Sequence, residues 1–448
     1  MVMTPARVAA TGVPFDIADR RPGARPASQC GARLVFPAES AILSGMVLPI
    51  GDAPNPKGFP FVNYLLIAVN VAVFLFFTVP LEGTQPASTD PLLGEYVREM
   101  SRALQGRVPS SAFAHPSAYD LFVFKWGFRP SNPSFVDLFT SMFLHAGFMH
   151  LFGNMLFLWI YGDNVEHTLG RVRYLLTYLA TGIAAVLFHW FWSPGSPMPM
   201  VGASGAISGV LGFYFLAFPR NTVRLLWLVP PFMSQVVEVS SRMVLGAYLL
   251  LENLFPFMTA RSEGGVAHGA HIGGFLAGLL AAWWYSRREL ATPEEFKETA
   301  GAVGPASTAP ATTATLGTAL AQGRYEEVAR DYFSLPEAQA RKALAPGEAL
   351  ELAGWLRTEG HAKAALSVAR RSLKEEPYAP EAARLELLAG EVLLEDLELP
   401  TEAFQHLRTA LDRQPDAWTA ARARRALAAI DQMQKFAKVG ELRTQRPW

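Results

Sequence analysis

Long apolar runs recur six times between residues 60 and 285 of the chain, each near the ~20 residues a helix needs to cross a bilayer,. They run from Pro60 to Leu81, Leu144 to Ile160, Tyr174 to Trp192, Ser204 to Phe218, Met243 to Phe257 and Ala270 to Tyr285. The fourth is short for a full span. A further apolar stretch, Leu225 to Val237, is interrupted by Pro230 and Pro231 and reads as an interfacial or re-entrant piece. The charged positions between the runs set an orientation. Lys57, Arg171, Arg173, Arg220, Arg224, Arg242, Arg287 and Arg288 fall in loops on one side. The opposite loops carry no Lys or Arg from Ser193 to Val201 and only Arg261 after the fifth run. Both termini are therefore predicted to be cytoplasmic, in a multi-pass inner-membrane protein. The long loop from Glu82 to Pro133 carries Arg98, Arg102, Arg107, Lys125 and Arg129, but long loops translocate largely regardless of charge.

The pattern divides the chain. Residues 1–45 are rich in Ala, Arg and Pro, lack a signal-peptide layout, and are predicted to be disordered or to precede a start at Met46. Residues 46–288 form the membrane domain. Residues 289–314 form a linker whose small residues cannot bury a core. From 315 to 436 amphipathic helices show internal similarity, and 437–448 form a tail. Gly360, Ala365, Leu366, Leu373 and Pro377 recur at a spacing of 38 as Glu398, Ala403, Phe404, Leu411 and Pro415, with Gly323, Tyr325 and Tyr332 as a fainter first copy. This resembles tetratricopeptide-type helical hairpins, with a plain helical bundle as the alternative. The predicted fold class is all-α, with a polytopic six-helix membrane core and a soluble helical-repeat domain.

Composition sharpens the picture. Half the residues are hydrophobic, 17% are charged, and Phe (30) and Trp (10) are abundant, which is unusual for a soluble protein. The 39 basic and 39 acidic residues cancel, and no basic patch interleaved with aromatics suggests a nucleic acid. The single cysteine, Cys30, excludes an internal disulfide and a thiolate cluster.

The polar residues inside the runs carry the chemistry, because such residues are costly in lipid and mark functional sites. Ser204 heads the fourth run within Gly202-Ala203-Ser204-Gly205, and His271 lies at the start of the sixth. Gly205, Gly209 and Gly212 form one small-residue stripe, and Ala270, Gly274 and Gly278 another. Such stripes let backbones touch, and close contact would bring Ser204 Oγ within reach of a His271 ring nitrogen, as an activated serine requires. His150 and Asn154 are four apart and share a helix face, so both could donate to one oxyanion, with the Ser204 N–H as a third donor. Interhelical packing and hydrogen bonding is the alternative for these residues. His268 and His271 are three apart, but no H-E-x-x-H arrangement and no cysteine accompany them. Neither a metal site nor a cofactor is predicted. His145 and His268 read as supporting residues near the site.

These residues resemble the rhomboid intramembrane serine proteases. The likeness rests on His145-Ala-Gly-Phe-Met-His150-Leu-Phe-Gly-Asn154, Gly162-Asp163-Asn164-Val165-Glu166, Gly202-Ala-Ser204-Gly205, and Ala270-His271 followed by Gly274 and Gly278, in the family's order. It implies a six-helix core and a Ser-His dyad without an acid. Ser204 would be the nucleophile, His271 the base and then the acid, and His150 with Asn154 the oxyanion stabilisers. Transmembrane protein segments, cut after local unwinding, would be the substrates. The chain departs from the family in the first loop, where Val136-Asp137 replaces a common Trp-Arg pair, which puts in doubt that loop's anchoring to Glu166. Glu252 lies in the fifth run, the helix thought to gate substrate entry in relatives, either facing the cavity or packing. Gly264-Gly265 could hinge the loop before the sixth run. The alternative function is a catalytically idle membrane scaffold that recruits a protein partner through the repeats.

Overall fold

In a computed structural model of the chain, the residues described are 46–56, 58–103, 116–229, 233–259, 267–288 and 313–444. The expectations for residues 1–45 with Cys30, Arg261, the Gly264-Gly265 hinge and linker residues 289–312 lie outside them. The chain opens with a strand, β1 (Met46–Ala53), followed by α1 (Phe61–Glu82). Two loop helices, α2 (Pro91–Ala103) and α3 (Ala118–Trp126), lead to the short α4 (Asp137–Phe143). Next come α5 (Phe148–Leu169), α6 (Arg171–Trp192) and α7 (Ser204–Ala217). Strands β2 (Thr222–Val229) and β3 (Met233–Ser240) precede α8 (241–259), and α9 (His268–Arg288) ends the region.

Helices thus occupy all six apolar runs. α1 and α6 are long and apolar enough to cross a membrane, and α4 with α5, bent by 95°, make a third such unit; α7 is a shorter apolar helix. Phe76, Phe191, Leu251, Phe255 and Leu280 are exposed, an apolar outer surface suited to lipid.

The stretch from Leu225 to Val237 is not a re-entrant piece. It is an antiparallel hairpin, and β1 adds to it in the order β1-β2-β3. The two runs are rich in Val and Leu, of which Val favours strands; Pro230 and Pro231, between them, lie outside the described residues. Pro49 is tolerated because β1 is an edge strand, and a register shift between Pro49 and Gly51 accommodates it,.

α7 lies at the centre. Every residue from Gly205 to Tyr214 is buried, as expected of a helix apolar all round. Against α9 its backbone makes direct contact: a Cβ on Gly274 would meet the Gly205 carbonyl, one on Gly278 the Gly209 carbonyl, and one on Gly212 the Phe275 carbonyl. On the α6 side, Gly205 and Gly209 face Ala185 and Thr181.

The C-terminal region consists of helical hairpins. Thr313–Ala321 pairs with Tyr325–Ser334, Pro346–Thr358 with Ala362–Glu375, and the helix ending at Asp396 with Pro400–Asp412. The turns within these pairs contain Gly323, Gly360 and Glu398, all with positive φ (74°, 85° and 55°). The repeat positions Ala365 and Ala403 are both fully buried. The last helix, Ala417–Thr444, runs past the predicted boundary at 436 because no proline interrupts it. This region touches the membrane domain. Gln405 Nε2 donates to Asn221 Oδ1 at 2.7 Å, Arg220 donates to Gln405 (2.9 Å) and Thr409 (3.1 Å), and Arg220 also pairs with Asp412.

Candidate active site

α7 begins at Ser204, so its first amide N–H groups have no acceptor within the helix. Gly202 reaches that start with φ of 121°, and its N–H donates to the Ser141 carbonyl at 2.8 Å. A side chain is excluded there twice over: the φ is strained for any L residue, and a Cβ would lie 2.7 Å from the His150 ring and 3.6 Å from Ser204 Oγ. Gly202 therefore sits between His150 and Ser204.

Close approach of α7 and α9 brings Ser204 Oγ to 2.7 Å from His271 Nε2. Its other ring nitrogen, Nδ1, is 2.6 Å from Asn253 Oδ1. Sequence reasoning missed Asn253. The signal was available, an amide in the middle of an apolar run, beside the more conspicuous charge of Glu252. Glu252 is exposed while Asn253 is 1% exposed, so of the two neighbours it is Asn253 that meets the His271 ring.

From α5, Asn154 is buried and its Nδ2 has no hydrogen-bond partner. His145, also fully buried, stands 5.1 Å from the His150 ring, edge to face, and its carbonyl accepts from Tyr119 Oη at 2.7 Å. His268 lies one turn before His271, with 6.4 Å between rings. Gly205 serves the helix contact described above. Glu166 is elsewhere. Its carboxylate accepts from the Val62 and Asn63 N–H groups at 3.0 and 2.7 Å, which caps the start of α1, so its partner is α1 and not the first loop. Among the described residues no His, Cys, Asp or Glu cluster could hold a metal ion.

At the opposite end of α7, Asp52 is buried beneath the helix, where its carboxylate accepts from Asn164 Nδ2 at 2.9 Å and from Tyr214 Oη. Burial, with Asp163 nearby, holds the Asp52 carboxyl well above the usual range.

The rhomboid domain family matches residues 132–288, the stretch that holds Ser204, His271, His150, Asn154 and Asn253. Three relatives are rhomboid proteins. Rhomboid protein 1, mitochondrial, of Saccharomyces cerevisiae is 31% identical over 157 residues, which cover 34% of this chain and 42% of that protein. Rhomboid-like protein 11, chloroplastic, of Arabidopsis thaliana is 28% identical over 165 residues (35% and 54%). Rhomboid protease GluP of Bacillus subtilis is 28% identical over 226 residues (50% and 35%). The chain thus spans between about a third and a half of the length of these relatives. Residues 132–288 match the domain of the rhomboid family, a family of multi-pass membrane proteins.

Proposed function

We propose that the chain is an intramembrane serine endopeptidase that cleaves transmembrane segments of other membrane proteins. The observation that carries this reading is the 2.7 Å separation of Ser204 Oγ and His271 Nε2, within the reach a nucleophile and its base require. In this mechanism Ser204 Oγ attacks the scissile carbonyl and its proton passes to His271 Nε2. The oxyanion is stabilised by His150, by the partnerless Asn154 Nδ2 and by the free N–H groups at the start of α7. His271 then protonates the leaving amine. Water, giving its proton to His271, releases the acyl group and restores Ser204.

The substrate segment has to leave helix first, because a helical peptide bond is shielded by its own backbone hydrogen bonds; Gly, Pro and other poor helix formers lower that cost. The distribution of Lys and Arg among the loops supports a cytoplasmic location for both termini. The C-terminal hairpins, with left-handed turns at 323, 360 and 398, support a tetratricopeptide-like domain that recruits a protein partner.

Labelling of detergent-solubilised protein with a fluorophosphonate probe tests the reading. The native chain should label and Ser204→Ala should not. No labelling of the native chain would favour the non-catalytic scaffold.

A further inference from the structure

We infer that Asn253 is a third, positioning member of the site, which holds His271 in the one tautomer able to accept the Ser204 proton. This rests on the protease reading and deepens it. Asn253 belongs to α8, in a π-helical turn spanning Tyr248–Leu254, a feature often found at functional sites. Its side chain is buried and spans two partners: Nδ2 lies 2.8 Å from the Tyr248 carbonyl, and Oδ1 lies 2.6 Å from His271 Nδ1.

The chemistry of these partners fixes the direction of every proton. A backbone carbonyl only accepts, so the end of the amide facing Tyr248 must be the NH2. The end facing His271 is then the oxygen, which also only accepts, so Nδ1 must carry the hydrogen. In a neutral imidazole the remaining nitrogen is an acceptor, and that nitrogen, Nε2, faces Ser204 Oγ. The Tyr248 carbonyl thus sets the amide, the amide sets the ring, and the ring is left ready to act as a base. A second tie seats this turn: Tyr248 Oη lies 2.8 Å from Ser208 Oγ of α7. Residues on three helices, α7, α8 and α9, therefore converge on one proton.

The test measures fluorophosphonate labelling of the full chain in detergent, separating the saturating rate constant from the half-saturating probe concentration. Asn253→Leu keeps the side-chain branch and removes the acceptor. Asn253→Asp keeps an acceptor toward Nδ1. We expect Asn253→Leu to lower the saturating rate roughly 10- to 100-fold, at or below the least that a positioned general base contributes, because the base itself remains, with the half-saturating concentration unchanged. Asn253→Asp should recover at least half of that loss on a logarithmic scale. Its pH–rate profile should move upward, because a carboxylate stabilises the imidazolium. The other groups facing His271, namely His268, His150 and His189, are unaltered in both variants. In a His271→Ala background Asn253→Leu should cause no further loss.

Native-like labelling by Asn253→Leu overturns the inference, as does a loss that persists in the His271→Ala background or one that Asn253→Asp does not relieve. If the native chain labels and Ser204→Ala does not, such a result defeats Asn253 alone. If the native chain fails to label, the protease reading falls and this inference with it.

Discussion

Gly278 packs on the carbonyl of Gly209 so closely that no Cβ fits between them. Gly278→Ala should therefore push α9 away from α7. Overpacking of this kind costs about 1–3 kcal/mol, and a ~1 Å shift of a catalytic group costs on the order of 100-fold in rate. The expected outcome is a lowered unfolding midpoint and near-complete loss of probe labelling. Gly354→Ala is the control, since nothing lies within 4 Å of its added Cβ. It should stabilise by up to about 1 kcal/mol and leave labelling unchanged. Equal labelling of the two variants would rule out this account of the dyad's assembly.

Glu166→Gln should weaken the start of α1. The carboxylate accepts two backbone N–H groups in a buried position, and a glutamine offers one acceptor and sets an NH2 against the second N–H. The loss of one charge-assisted bond at a helix N-terminus is worth about 1–2 kcal/mol. Thermal unfolding in detergent should show it. An unchanged midpoint would mean that α1 is held by its packing alone.

The helices were legible because each apolar run has to be buried or wet by lipid, and a serine or histidine inside one stands out. The hairpin was not. In Thr222–Val229 and Met233–Ser240 apolar residues fall on both faces of the strands, so period-two alternation is blurred and the run with Pro230-Pro231 reads as an interfacial or re-entrant piece. Asn253 was hidden differently. One helical residue is a turn of about 100°, so Glu252 and Asn253 face different surroundings, and sequence offers no phase with which to choose the inward one. Nor could spacing show that Glu166 reaches back to Val62, more than a hundred residues earlier.

Asp52 gives the fold a pH dependence. Its folded value is raised above the ordinary 3.8 by burial and by Asp163, so the folded state favours the protonated acid. The stability this contributes is full below the ordinary value and is lost as pH rises through the raised one. Asp52→Asn removes the titration. Unfolding midpoints measured between pH 4 and 8 should fall less for the variant than for the native chain as pH rises. Parallel curves would exclude Asp52 as the source.

At the junction between the two domains, burial should outweigh charge. Asp412→Ala removes an ion pair whose side chains are 31% and 52% exposed, and such pairs contribute about 0–1 kcal/mol. Asn221 is fully buried and serves both Gln405 Nε2 and Tyr214 Oη. Asn221→Ala removes both bonds, leaving Tyr214 Oη with Asp52 and Gln405 Nε2 with the Thr401 carbonyl, at a cost of about 0.5–1.5 kcal/mol for each bond lost. Calorimetry of the full chain should rank Asn221→Ala as the more damaging; the reverse order would mean that the ion pair holds the junction.

The anchoring of α8 has a mechanical consequence. Its first residue, Ser241, is fully buried, donates its N–H to the Asn221 carbonyl at 2.9 Å and its hydroxyl to the Phe218 carbonyl at 3.1 Å. The helix is thus pinned at the sheet end, and Asn253 rides on a lever arm of roughly 18 Å above that pivot. A tilt of about 10° displaces its amide by roughly 3 Å, more than a hydrogen bond survives. A swing of α8 too small to alter its contacts at the pivot is therefore enough to release the imidazole.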